Sequence, residues 1–576
     1  MTREWLNKNN VRDIDFSLDF IPKAKDRNAW NNISHTAKLR IANDAKRFDG
    51  YAFESLSAMD FLAFKRSGNR ADYEEKSLKK RNALSSLVLA ECVEYKGKYL
   101  DRIADGIWSI CEESFWGVPA HNDGKALPDI SEPIIDIFAA QTAGILCLAV
   151  YLLKDELDKI APQIAKRVEH EMNERILTPF IESTDFWWMG YHRKDINNWN
   201  PWILSNLIYP FIMYERKDCT EKALYVLQPF LDYYSDEGSC DEGVTYWNVG
   251  GLSLFDFLDV LYLSTNARIN FFDNRKIINI FTFIEKMYIS DGQFVNFADA
   301  APLPRLDIVT IFRMGKRINN SSIMALSREL LAFESEKNEK EYITLKRGVP
   351  DAFSFDELEH FSFERNEKKF TLISDIEVAV YRKAEFFLCV KGGHNSENHN
   401  HNDVGSFVLY RDGKPVFIDI GAPFYDARSF SENRYEIFSN TSNYHNLPIV
   451  NGKAQKSGSD AKALDFFADE NKVSMKLDLC YGEKVEREFL TDGEINIKDR
   501  FNSSDVSEVF ITAEKPVITD NGALVAGVKL SCSVPFKATV ETIKLDDGRL
   551  INSWGKEIYR LIFEAKNVKE IEFSVE

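Results

Sequence analysis

The chain has 576 residues, 44% of them hydrophobic and 28% charged, the balance of a soluble globular protein without a low-complexity tract long enough for a disordered arm. That length exceeds one ordinary hydrophobic core and implies about two to four domains. The formal net charge of −18 argues against a surface that binds nucleic acid by counterion release, while leaving room for a local basic cleft that accepts a polyanion.

The N-terminus, MTREWLNKNNVRDIDF, has no apolar segment followed by a small-residue cleavage site, so no signal peptide is read as written. The longest uncharged apolar run, Ala143 to Leu153, falls well short of the roughly 20 residues of a membrane span. A cytoplasmic protein is expected, periplasmic or secreted were an export signal removed, with no membrane or nucleic-acid partner and as either a monomer or a homodimer. The eight cysteines lie far apart without a CxxC pair, which points to neither a disulfide framework nor a thiolate zinc site.

From about Leu39 to Leu331 apolar residues recur at helical spacing, as in Ile134 to Leu157 and Ser253 to Ser264. The connections carry aromatics: Phe115 and Trp116, Phe186 to Trp188, Trp199 and Trp202, Tyr246 and Trp247. Such rings pack between helices or, beside Asn and His, offer flat faces to pyranose rings. After the charged stretch from Glu334 to Tyr342 the period changes to two, with turn signals at Asp412-Gly413 and Asp492-Gly493. Helices followed by hairpins, without alternating βαβ, predict an α+β multidomain chain: a helical domain over 1–340 and an antiparallel β domain over 341–576.

Of nine histidines, four (His394, His399, His401 and His445) fall within 52 residues of the β half. On a strand His399 and His401 would share a face, and two imidazoles so placed can share a metal or divide into a ligand and an acid/base. Asp419 offers an oxygen and His445 a further nitrogen; a His/Asp/His set suits zinc better than calcium or magnesium. A pair of surface histidines is the plainer alternative. The polar neighbours Asn395, Glu397, Asn398, Asn400, Asn402 and Asp403 speak against an inert core. His192, close to Asn197, reads as part of a subsite; His121 is open between that and structure; Glu242 is expected to fix its loop by accepting backbone N–H groups.

The stretch GGHNSENHNHNDVGSFVLYRDGKPVFIDIG, continued by RYEIFSNTSNYHNLPIVNG, resembles the C-terminal signature of heparinase II/III-like polysaccharide lyases. NNWNPW (Asn197 to Trp202) and DEGVTYWNVG (Asp241 to Gly250) extend the resemblance into the helical half. It implies an incomplete (α/α) toroid followed by an antiparallel β-sandwich, with the active site in the cleft between them. Tyr246 would be the catalytic tyrosine, donated by the helical domain, and His399 the catalytic histidine. Asn198, with Asn197 beside it, would neutralise the substrate carboxylate, and His401, Asp419 and His445 would hold one structural zinc ion. Around these, Asn197, His192, Trp199, Trp247, His394 and Arg434 are read as substrate-binding, with a structural ion pair as the alternative for Arg434.

The implied activity is cleavage of uronic-acid glycans, glycosaminoglycans such as heparan sulfate, hyaluronan or chondroitin, by β-elimination to unsaturated uronates. An alginate or other oligouronate lyase and a non-catalytic carbohydrate-binding protein are the alternatives. Such a reaction needs a base at C5, an acid at the leaving oxygen, and neutral donors on a carboxylate that gains charge. Tyr246 serves both proton transfers if nearby positive charge, for which Arg434 is a candidate, lowers its pKa from about 10. A glycosidase needs two carboxylates about 5–10 Å apart across a cleft, which the adjacent Asp241 and Glu242 do not offer; a zinc hydrolase would use metal-bound water.

Overall fold

A computed structural model describes residues 1–334, 343–425, 428, 429 and 431–576; all but the first residue of the charged stretch that marks the expected boundary lies outside them. The chain forms two compact units. The first comprises 1–234, 248–281 and 307–363, and the second 235–247, 282–306 and 364–576. The units are therefore not consecutive: helix Leu345–His360, beyond residue 340, belongs to the first, and two segments from the helical half belong to the second.

The first unit is helical. Helix Ile137–Ile160 packs against Ala71–Glu94 and Trp199–Met213. It is long and apolar enough to cross a membrane by composition, yet its apolar window is almost wholly buried inside the unit, as expected of a helix apolar on every side. Asp136 starts it by accepting the Ala139 N–H at 2.7 Å.

The second unit is antiparallel β. The first sheet is a meander of β1 (Phe370–Ile373), β2 (Val378–Lys383), β3 (Phe386–Lys391), β4 (Phe407–Arg411) and β5 (Lys414–Phe417). Asp412 and Gly413, both at positive φ, make the turn between its last two strands. The larger sheet is centred on the pairing of β6 (Ile495–Thr512) with β7 (Glu557–Val575), and Val485–Leu490 runs beside β6. Along Val485–Leu490 burial alternates residue by residue, so one face is covered. Side chains of both sheets meet in one core: Phe407 and Phe417 from the meander touch Phe510 from β6. The arrangement is a sandwich.

Two buried polar side chains tie this sandwich to the histidine segments. Arg487 pairs with Asp499 on the neighbouring strand at 2.8 and 2.7 Å and also donates to the carbonyls of Gly405 (3.0 Å) and Asn446 (2.7 Å). Asn446, next to His445, donates to the carbonyls of Phe407 and Ile418 and accepts from the Ile511 N–H. Every polar group so buried needs a partner, and satisfying these fixes where His445 stands. All eight cysteines are unpaired.

Candidate active site

The segment carrying His399 and His401 is not a strand. After a two-residue β contact at His394–Asn395 the chain turns irregularly to Gly405, and His399 takes the left-handed conformation at φ 54°. The shared-face expectation therefore fails, because a residue in that region breaks the period-two alternation. Buried Lys391 braces the segment, reaching Asp403 at 2.6 Å and Glu397 at 2.8 Å.

The two histidines meet instead on one carboxylate, Asp299. His399 Nδ1 lies 2.7 Å from Asp299 Oδ2, and His401 Nε2 lies 3.0 Å from Asp299 Oδ1. Asp299 also accepts from Arg434 Nη2 at 2.8 Å and from the Tyr425 hydroxyl at 2.9 Å. The other ring nitrogen of His399 faces Glu242 at 3.1 Å. Tyr246 stacks on His399, ring centroids 4.2 Å apart, and its hydroxyl is hydrogen-bonded to that of Tyr425. All these residues belong to the second unit; Tyr246 stands in the first turn of helix Val244–Ser264, whose residues from Asn248 on belong to the first unit.

The segment 296–301 builds this group. Asn296 donates to the Asp419 carbonyl at 2.9 Å, and the Ala301 N–H donates to Thr245 Oγ1 at 3.1 Å. Gly243, at φ +83°, precedes the helix that carries Tyr246; a Cβ there would lie 2.7 Å from the Ala300 Cβ. Only glycine permits both the conformation and the approach.

Charges follow from these contacts. Burial opposes a charge on His399, but the Asp299 and Glu242 carboxylates outweigh it and lift its pKa to about 9. Burial likewise opposes ionisation of Asp299, yet the hydrogen bonds from His399 and His401 hold it well below the usual carboxylate range. Burial pushes the Tyr246 hydroxyl above its ordinary value, offset only in part by the bond to Tyr425. Burial, with Glu242 and Glu397 nearby, raises Asp241 to about 6. The expectation that Arg434 lowers the Tyr246 pKa is thus corrected: Arg434 spends its guanidinium on Asp299 and on the carbonyls of Asn400 and Ser429. Glu242, expected to hold backbone N–H groups, faces the catalytic candidate His399 instead.

His401, Asp419 and His445 form a buried group whose ligand atoms lie within 4.8 Å of one another. His445 Nδ1 is 2.9 Å from Asp419 Oδ2, while His401 Nδ1 and His445 Nε2 are buried without a hydrogen-bond partner. Orphaned imidazole nitrogens beside a carboxylate fit a metal ion, and the donor set is one zinc accepts. His401 bonded through its far nitrogen to Asp299 matches the carboxylate–histidine–metal arrangement.

The other expected residues stand apart. His394 accepts from the Ser396 N–H at 3.2 Å. Trp247 is fully buried, which corrects its assignment to substrate; it is core. In the helical unit Asn198 precedes helix Trp199–Met213, and Asn197 Oδ1 accepts the Trp199 N–H at 3.1 Å. Gly250 lets Asn198 approach, since a Cβ there would lie 3.3 Å from the Asn198 Cβ. Trp199 packs on His121 and Trp187, ring centroids 4.5 and 4.9 Å away, and His121 is held by Asp136 at 2.7 Å. His192 is exposed, 3.5 Å from Asp185. Asp299 and Tyr425 went unread in the sequence. The one hint was a polar pair, Asn296 and Asp299, inside the apolar run FVNFADAA, where each must find a buried partner.

Residues 365–512 match the family model "Heparinase II/III-like, C-terminal". This heparinase II/III-like region spans the meander, the histidine segment, Asp419 and His445. Over nearly the whole chain the fold is that of solved lyases. A heparinase III gene product superposes with a TM-score of 0.61 at 12% identity, covering 99% of this chain and 87% of its own. The heparan sulfate lyase HepC of Pedobacter heparinus does so at 0.54 and 11% (96% and 90% covered), and a mutant chondroitin AC lyase of Streptomyces coelicolor A3 at 0.53 and 10% (94% and 79%). At such identities the likeness establishes the fold. No curated protein sequence matches the chain.

Proposed function

We propose that this protein is a polysaccharide lyase that cleaves uronic-acid glycans by β-elimination. The observation that carries the reading is the hydrogen-bonded group of Tyr246, Tyr425, His399 and ionised Asp299, on a chain whose β half matches the heparinase II/III-like model. The Tyr246–His399 pair takes the C5 proton; the C5–H electrons become the C4=C5 double bond, the C4–O bond breaks, and the leaving oxygen receives a proton from the pair. No water is consumed. Asp299 and Glu242 orient His399, and Tyr425 orients the Tyr246 hydroxyl.

Asn198, with Asn197 beside it, is assigned by its motif to the substrate carboxylate, where a neutral amide stabilises the charge that develops. Asn198→Ala should lower kcat about 100-fold. His401, Asp419 and His445 would hold a zinc ion, which when bound supplies a structural crosslink. Three protein donors leave a fourth position on the ion, but their burial, with both histidines fully covered, closes it to a glycan and speaks against the zinc-hydrolase alternative.

The test is incubation with sulfated and unsulfated uronate polymers and oligomers. An ultraviolet-absorbing unsaturated product is expected. New reducing ends without that absorbance would sink the lyase reading, and binding without either would favour the carbohydrate-binding alternative.

A further inference from the structure

The catalytic group and the candidate metal pocket share one side chain. The carboxylate of Asp299 is 1% exposed and divides its two oxygens: Oδ2 serves His399 and Tyr425, and Oδ1 serves His401 and Arg434. A carboxylate is planar and rigid, so a turn that follows a partner on one oxygen displaces the other. Arg434 also holds Oδ1, so what an ion would change is the second contact, that of His401. With Nδ1 of His401 on a metal, Nε2 must carry the ring proton and donate to Asp299, which locks the ring. Without an ion, the same ring keeps a buried nitrogen unsatisfied, a cost that turning or tautomer change relieves at the expense of the bond to Asp299.

We propose that Asp299 couples the metal pocket to the catalytic group, so that an ion bound at His401 aligns His399 and, through Tyr425, the hydroxyl of Tyr246. The proposal rests on the reading of these two groups as catalytic centre and zinc site, and deepens it by making metal occupancy a control on turnover. Asp299 is in this sense a positioning residue. Second contacts of this kind change activity by about 10- to 100-fold; with Arg434 retained the lower end is expected.

The experiment uses the full chain with its nine histidines labelled with ring nitrogen-15, zinc-loaded or stripped by chelator, at one pH. The His399 signals are assigned by their loss in His399→Gln. Stripping zinc should move the His399 signals and lower kcat about tenfold with KM within about twofold. In Asp299→Asn, with zinc content confirmed by metal analysis, both responses should disappear. His399 signals identical in the zinc-loaded and stripped wild-type protein would overturn the proposal, as would an equal loss of kcat in wild type and Asp299→Asn, or failure of the chain to take up zinc. Should Asp299→Asn not fold, cadmium replaces it as the probe: the larger ion shifts His401 and must move the His399 signals again, and unmoved signals overturn the coupling. The resonance comparison needs no turnover, so a chain inactive on every uronate would refute the lyase reading while the coupling is still read.

Discussion

His399 and His401 are two residues apart and bind the same carboxylate, yet their surroundings divide them. His399 keeps 17% of its side chain exposed, is flanked by Asp299 and Glu242, and is lifted to about 9. His401 is fully covered, with one ring nitrogen left over beside Asp419 and His445. Exposure plus paired charge suits the proton carrier proposed for His399, whereas burial plus an unsatisfied lone pair suits the ligand proposed for His401. Spacing within the motif does not separate these fates; the left-handed turn at His399 does.

The sharpest way to break this contrast is on the exposed side. Tyr246→Phe removes the hydroxyl but little packing, and should cut turnover by about 1000-fold or more with thermal unfolding almost unchanged; appreciable product formation by the variant would remove Tyr246 from the mechanism. Next comes pH. Both members of the Tyr246–His399 pair hold their protons at neutral pH, so the reactive form is the pair lacking one proton, whichever member gives it up. That loss is governed by the value of about 9 for His399, so kcat/KM should climb about tenfold per pH unit through the neutral range and level off near 9. A rate that falls over the same range would assign His399 the opposite protonation state.

On the sealed side His401→Ala should destabilise the fold by about 2–4 kcal/mol through a cavity and lost metal crosslink, seen as a lower Tm and absent zinc, with a rate loss of only about tenfold. Collapse of activity with unchanged Tm would invert the contrast. The smallest effect is expected of Glu242→Gln. It removes one of the two carboxylates that raise His399, so the rising limb of the rate profile should level off at lower pH; a limb that stays in place would show that Asp299 alone sets it.

Much of the β half was legible because it depends on local pattern. Alternation and the Asp412-Gly413 and Asp492-Gly493 turns give the hairpins, while the set of His401, Asp419 and His445, apart from His399, came from the family resemblance, spacing alone leaving the two histidines undivided. What escaped depends on contacts distant in sequence. Asp299 reaches His399 and His401 from a loop a hundred residues earlier, and nothing local marks an aspartate for that service. Arg434 looked available to substrate because two of its three bonded partners, Asn400 and Asp299, lie elsewhere in the chain. Trp247, adjacent to the tyrosine on its helix, points another way and is core, as helical geometry requires of neighbours about 100° apart around the axis.

The discontinuity of the second unit has a consequence for how this protein can be divided. A cut near residue 340, where composition changes, would send Tyr246 and Asp299 away with the helices and leave a β fragment whose His401 has lost its carboxylate. The segments 235–247 and 282–306 are in effect loans from one half of the chain to the other. Neither half by itself then carries the whole group of residues gathered on Asp299.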